Sequence, residues 1–253
     1  METAKELISH NSPMSPVTEA YRVLRTNLQY SSVDKPLKSI VVTSSGPREG
    51  KTTTITNIAV AFAQAGYKVL LADGDMRKPR LHRIFGIASG KGLSNLLVTK
   101  GSIDDYVYST EVPNLSVMPC GTIPPNPSEL LSSNAMKQFL EDACGRFDMV
   151  FFDAPPVGAV TDAAILSTIC DGVILVAASG VVDGCAFLRA KELLGNVNAN
   201  IIGVVLNKMK KAAGADYNYY YYYYYFDSPA GCFENKERRR KKKTPRSSTE
   251  MEA

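Results

Sequence analysis

Six short apolar runs, KSIVVTS, YKVLLAD, NLSVMPC, FDMVFFD, GVILVAA and NIIGVVLN, recur between Lys38 and Asn207. Runs rich in β-branched residues and without polar alternation read as strands buried on both faces. Helical stretches at 52–65, 128–143 and 183–195 lie between several of them. The pattern predicts an α/β domain whose mostly parallel sheet is covered by helices on both faces, with any ligand held at the C-terminal ends of the strands. Ahead of the first run, VTEAYRVLRTNLQY sets Val17, Tyr21, Leu24 and Leu28 on one helical stripe, with Glu19, Arg22 and Arg25 together off it.

After Asn207 the periodicity stops. KMKKAAGADYN leads into seven consecutive tyrosines and then the basic block RRRKKK. This divides the chain into an N-terminal segment, 1–37, a domain, 38–208, and a tail, 209–253, expected to be flexible. With 253 residues, 45% of them hydrophobic, the chain is long enough for one large core rather than two small ones.

Charge follows the same division. Residues 234–253 hold eight Lys/Arg and four Asp/Glu; taking these from the 29 and 25 of the whole chain leaves 21 of each. The body is formally neutral and the tail basic; its block is compatible with anionic lipid or with simple solvation. No apolar run approaches the roughly 20 residues of a membrane span, and METAKELISHNSP lacks a secretory signal, so a cytoplasmic chain is expected. The five cysteines are odd in number and well separated, with no CxxC pair, which argues against a disulfide framework, a zinc site or paired iron–sulfur ligands.

The first strand runs into SGPREGKTT and then a helix, the strand, glycine-rich loop and helix order of a P-loop. In that order Gly46, Pro47, Arg48, Glu49, Gly50, Lys51, Thr52 and Thr53 form a cradle for the phosphates of ATP. Lys51 is the point charge for the β- and γ-phosphates, and the Thr52 hydroxyl joins the shell of Mg²⁺. The motif departs from the usual pattern in having Ser45 in place of its first glycine.

Carboxylates close two other strands. LLADGDMR ends on Asp73 and Asp75, which alternation along an extended chain would put on one face. One, Asp75, then holds Mg²⁺ while the other, Asp73, takes a proton; an ordinary low pKa suffices if the base is well placed, because the phosphoryl transition state is loose. Read alone, Asp-Gly-Asp is equally a turn, and Arg77 and Lys78 either bind phosphate or stay solvated. MVFFDAPP places Asp153 at a strand end as a second magnesium carboxylate. Asn207 closes the last strand, where its amide either reads adenine or makes a turn.

Together IVVTSSGPREGKTT, LLADGDMR, MVFFDAPP and the terminal tyrosines resemble the bacterial protein-tyrosine kinases over roughly residues 15–225. The resemblance implies Walker A, A′ and B roles for Gly50, Lys51 and Thr52, for Asp73 and Asp75, and for Asp153. It implies ATP and Mg²⁺ as cofactors and Tyr217, Tyr219, Tyr220, Tyr221, Tyr222, Tyr223, Tyr224 and Tyr225 as phosphoacceptors. Glu19, Arg22 and Arg25, spaced ExxRxxR, take a role in subunit contact within a homo-oligomeric ring; plain intrahelical pairing is the alternative. Also implied are a transmembrane activator or polysaccharide co-polymerase partner, a cognate tyrosine phosphatase, location at the inner face of the membrane through that activator, and regulation of capsule or exopolysaccharide synthesis and export. Nucleic acid is not among the expected partners.

The tyrosine run itself has no period that would bury one face, so it reads as substrate or as a self-associating aromatic tract. At 10 to 18 residues beyond Asn207 it reaches at most about 35–65 Å, far enough for its own site or a neighbour's. The competing function is a positioning or partitioning ATPase of related P-loop architecture, but that class carries a lysine five residues before the main one, where this chain has Gly46. An adaptor that binds ATP without chemistry would have no use for Asp73 and Asp75 together.

Overall fold

The computed structural model describes residues 7–32, 36–88 and 90–209. The tyrosine run and the basic block therefore lie outside the described residues. In chain order the elements are α1 (Ile8–Asn11), α2 (Pro16–Gln29), β1 (Ser39–Ser44), α3 (Lys51–Gln64), β2 (Val69–Asp73), α4 (Leu81–Ile84), α5 (Leu93–Thr99), β3 (Tyr108–Ser109), β4 (Leu115–Met118), α6 (Pro127–Leu131), α7 (Asn134–Arg146), β5 (Met149–Asp153), α8 (Asp162–Ser167), β6 (Gly172–Ala178), α9 (Gly184–Gly195) and β7 (Ile201–Asn207).

The strands form one seven-stranded sheet in the order β3-β4-β2-β5-β1-β6-β7, parallel except for the β3–β4 pair. Both faces are covered, as the unbroken apolar runs require. Val41, Leu70, Val150, Phe152 and Leu175 face α7, α8 and α9, while Ile40, Leu71, Phe151, Ile174 and Val176 face α2 and α3. Phe151 and Phe152 are fully buried on opposite faces, each contributing about 1.5–3 kcal/mol of burial.

Two expectations change in detail, and one strand is new. The helix anticipated over 128–143 is two helices, because Ser133 accepts from the Met136 N–H and caps a fresh start at α7. In α2, Tyr21 is buried and Leu24 and Leu28 pack against its cluster, but Val17 is exposed; Thr18 is buried instead and donates to the Ser12 carbonyl at 2.7 Å. Antiparallel β3, only two residues long, left no periodicity to read. Among the described residues no helix is long and apolar enough to cross a membrane.

Candidate active site

The phosphate loop connects the interior strand β1, between β5 and β6, to α3. It holds two left-handed residues, Arg48 at φ +63° and Gly50 at φ +96°. Such a turn aims successive backbone N–H groups into a concavity suited to anions. Gly50 has a second reason to lack a side chain: a Cβ there would collide with the Asn207 amide nitrogen.

Glu49, expected at the phosphates, turns its side chain into the protein. It is buried, accepts from the Ser45 hydroxyl at 2.6 Å, from the Gly46 N–H, and from the Ala178 N–H of β6 at 3.3 Å. Its carboxylate holds the loop's shape and ties it to the neighbouring strand. Asn207, on the adjacent strand β7 and level with Ala178, donates to the Glu49 carbonyl at 3.0 Å and accepts from the Lys208 N–H at 2.8 Å. In this arrangement its amide braces the phosphate loop.

Lys51 and Thr52 open α3, and the carboxylates converge on them from β2 and β5. Lys51 Nζ lies 3.2 Å from Asp75 Oδ2 and 3.5 Å from Asp153 Oδ1. Burial alone would lower the lysine's pKa, but Asp153 and Asp75 outweigh it and the net shift is upward. Thr52 Oγ1 donates to Asp153 Oδ2 at 2.6 Å.

The strand ends at Asp73, so the alternation anticipated through Asp75 does not carry on. Asp73 and Asp153 are level partners on adjacent parallel strands, both essentially without solvent exposure. Asp73 Oδ2 accepts from the Arg80 and Leu81 N–H groups, each at 3.0 Å, at the start of α4. Burial first, and the facing Asp153 second, push Asp73 up to about 8. A low pKa would have sufficed for a well-placed base, but a carboxylate that deep, opposite another, resists ionisation. Asp153 is raised too, again by burial, with Lys51 and Thr52 offsetting part of it. Asp75 sits on a loop whose backbone closes on it, the Lys78 N–H donating to Oδ1 at 3.0 Å.

Asp73 Oδ1 is buried with no hydrogen-bond partner among the described residues, and Asp153 Oδ1 has no hydrogen bond there beyond its ion pair with Lys51. Buried carboxylate oxygens with unused acceptor capacity beside a threonine hydroxyl at a phosphate loop fit Mg²⁺, which binds through one or two carboxylates, waters and substrate phosphates. The donor set Thr52, Asp75 and Asp153 is therefore of the right chemistry.

A cleft of about 1030 Å³ opens above this group, and Pro47, Arg48, Gly50, Lys51, Thr52, Thr53 and Asp75 are on its wall. Gly46, Glu49, Asp73, Asp153 and Asn207 stand behind them. Glu19, Arg22 and Arg25 are elsewhere, on α2: Arg22 pairs with Glu19 at 3.0 Å, and Arg25 Nη1 donates to the Ala61 carbonyl of α3 at 3.2 Å. Tyr217 and Tyr219 to Tyr225 fall outside the described residues.

Arg77, anticipated as a phosphate ligand or a solvated charge, does something else. Its guanidinium grips the fully buried Asp162 with two bonds of 2.9 and 3.0 Å, and Ser128 Oγ bonds the same carboxylate at 3.1 Å. The loop bearing Asp75 is thus fastened to α6 and α8. Sequence reasoning missed Asp162, because an acidic residue at the first turn of a helix ordinarily reads as a cap.

A family model described as an AAA domain matches residues 38–187. The chain is 43% identical over 215 residues to the tyrosine-protein kinase YwqD of Bacillus subtilis, covering 85% of this chain and 91% of that protein. It is 39% identical over 217 residues to the putative tyrosine-protein kinase CapB of Staphylococcus aureus, covering 86% and 95%. The crystal structure of the chimerical protein CapA2B2 superposes with a TM-score of 0.79 at 42% identity, over 82% of this chain and 91% of that one. The septum site-determining protein MinD of Pyrococcus horikoshii, at 22% identity and a TM-score of 0.59 over 70% of this chain and 72% of its own, shares the fold.

Proposed function

Because this chain belongs to the bacterial tyrosine-protein kinases and is a protein-tyrosine kinase, we propose that it moves the γ-phosphoryl of ATP onto tyrosines of its own C-terminal tail. The observation that carries the reading is the convergence of Asp75 and Asp153 on Lys51, each within 3.5 Å of its ammonium, at the phosphate loop. ATP and Mg²⁺ are the proposed cofactors.

In this reading the loop's N–H groups and Lys51 hold the phosphates, and Thr52, Asp75 and Asp153 supply the oxygens that hold Mg²⁺. When bound, the ion neutralises charge on the β- and γ-phosphate oxygens. The tyrosine Oη forms a bond to the γ-phosphorus as the bond to the bridging oxygen breaks and ADP departs. The phenolic proton goes to Asp73 in its ionised form, by way of one water because the carboxylate is buried behind the cleft wall; its Oδ1 has no hydrogen-bond partner among the described residues. Asp73 lies behind Asp75, so the two carboxylates divide the work between proton and ion.

The acceptors are Tyr217 and Tyr219 to Tyr225. We place Glu19, Arg22 and Arg25 in a contact between subunits of a ring, where a tail entering the next subunit's cleft gains an effective concentration of about millimolar. Each phosphotyrosine adds roughly −1.5 to −2 charges, so loaded tails repel and open the ring, and a tyrosine phosphatase closes the cycle. A transmembrane activator would hold the kinase at the inner face of the membrane, where the cycle regulates capsule or exopolysaccharide synthesis and export.

Mixing two full-length variants tests the transfer: Lys51→Met with its tail intact, and an active chain with every tail tyrosine changed to Phe. Phosphotyrosine on the Lys51→Met chain is the expected result with ATP, Mg²⁺ and activator. ATP hydrolysis without phosphotyrosine in any mixture would contradict the reading and favour a positioning ATPase.

A further inference from the structure

The cleft carries more positive charge than a nucleotide needs. Its wall holds seven Lys or Arg side chains and one carboxylate, Asp75. Lys51 is taken by Asp75 and Arg77 by Asp162. Lys208 donates to the Arg48 carbonyl and so stands with Arg48 at the phosphate loop. Lys78, Arg80 and Arg83, with His82 among them, form a separate group on the wall, all from the segment that follows β2.

Two strand spacings, roughly 10 Å, separate β2 from β1, where the phosphate loop begins. Asp73, Asp75 and Asp153 mark the reacting end of the site. The basic segment therefore flanks the side from which an acceptor must arrive. Lys78 and Arg83 are exposed, and their side chains make no hydrogen bond or ion pair among the described residues.

The acceptor tract complements this wall. Seven consecutive tyrosines flanked by Asp216 and Asp227 are weakly acidic at first. After one transfer to any of the seven consecutive tyrosines, at least one unmodified tyrosine stands next to a phosphate. Along an extended chain, residues two apart share a side at a spacing of about 7 Å. Guanidinium and ammonium groups bind phosphate through short charge-assisted bonds, arginine often through two.

We infer that Lys78, Arg80, His82 and Arg83 form an acceptor-side subsite for a phosphotyrosine next to the reacting tyrosine, so that each phosphate added to the tail speeds the next. The inference rests on the reading of the chain as a kinase of its own tail. It makes tail phosphorylation self-priming, with a slow first transfer and faster successors.

The test uses full-length kinase with its tail tyrosines changed to Phe, and two synthetic peptides of residues 214–228. One carries phosphotyrosine at position 221 and the other Tyr221→Phe, so both offer the same seven acceptors. The expected kcat/KM for the phosphorylated peptide is about tenfold higher. In the double variant Lys78→Ala, Arg83→Ala the ratio falls toward one, while Lys78→Arg, Arg83→Lys keeps it.

Equal kcat/KM for the two peptides in the parent enzyme overturns the subsite and leaves the kinase reading standing. A preference that survives the alanine variant overturns it as well. So does a preference that is lost only together with a raised KM for ATP, which would give these cations to the nucleotide. Transfer to neither peptide, with activator present, would sink the kinase reading and this one together.

Discussion

The Asn207 side-chain amide donates to the Glu49 carbonyl at 3.0 Å, a contact across 158 residues of sequence that braces the phosphate loop against the last strand of the sheet. The same loop is also held by Glu49's own carboxylate, which accepts from the Ala178 N–H of the neighbouring strand β6. Two strands thus fix a loop that has to keep its N–H groups aimed before any phosphate arrives.

Asn207→Ala removes that brace and leaves a carbonyl without its donor, a loss of about 1–2 kcal/mol. The expected outcome is a KM for ATP raised about tenfold and a melting temperature lower by about 2–8 °C, read by steady-state kinetics and calorimetry.

Two glycines with nearly the same backbone separate strain from collision. Gly66, at φ +93°, has nothing within 4 Å of the position an alanine methyl would take, whereas at Gly50, φ +96°, the methyl meets Asn207. Gly66→Ala should cost only the left-handed penalty of about 1–2 kcal/mol in stability and leave ATP binding alone. Gly50→Ala carries the same penalty and also displaces Asn207, so nucleotide affinity measured by calorimetric titration should fall at least about tenfold.

Asp73 gives the apo protein a specific pH dependence. Its folded pKa, about 8, lies above the value of about 3.9 for an unfolded aspartate, so folding favours the protonated form. The stability it contributes is full below about pH 4 and is lost as pH rises through about 8. Asp73→Asn keeps an oxygen for the Arg80 and Leu81 N–H groups and removes the charge. The variant should therefore melt above the wild type at pH 8, by on the order of 5 °C, with the gap closing toward pH 5. In turnover the same change should lower kcat by about 10²–10³ with little effect on the KM for ATP, as loss of a proton acceptor does.

The Arg77–Asp162 pair is unequal: the arginine side chain is 39% exposed and the aspartate 0%. Water can solvate an unpaired Arg77, but it cannot reach an unpaired Asp162. Arg77→Ala should cost about 1–3 kcal/mol by urea denaturation, a figure held down by the exposure of the arginine, and should cost more than Asp162→Asn. The reverse order would mean that the pair contributes through packing rather than charge.

The strand–loop–helix at 38–65 was legible because its signals are local: an apolar β-branched run, a turn of Gly, Pro and Gly, then Lys-Thr-Thr opening a helix. Asp73 and Asp153 were legible for the same reason, each closing an apolar strand. Their inequality with Asp75 was not, since it depends on β2 and β5 being neighbours in level register and on the backbone of α4 folding onto Asp73. Asn207 to Glu49 and Arg77 to Asp162 join residues 158 and 85 positions apart, and neither residue type announces such a partner. The break before α7 turned on one serine hydroxyl in a sequence that could have continued as helix.

The most direct measurement is mass spectrometry of the purified chain after incubation with ATP, Mg²⁺ and activator, comparing wild type with Lys51→Met. The account predicts added phosphate on wild type alone, mapped to Tyr217 and Tyr219 to Tyr225. Phosphate confined to other residues, or an unmodified tail in a sample that consumes ATP, would contradict it.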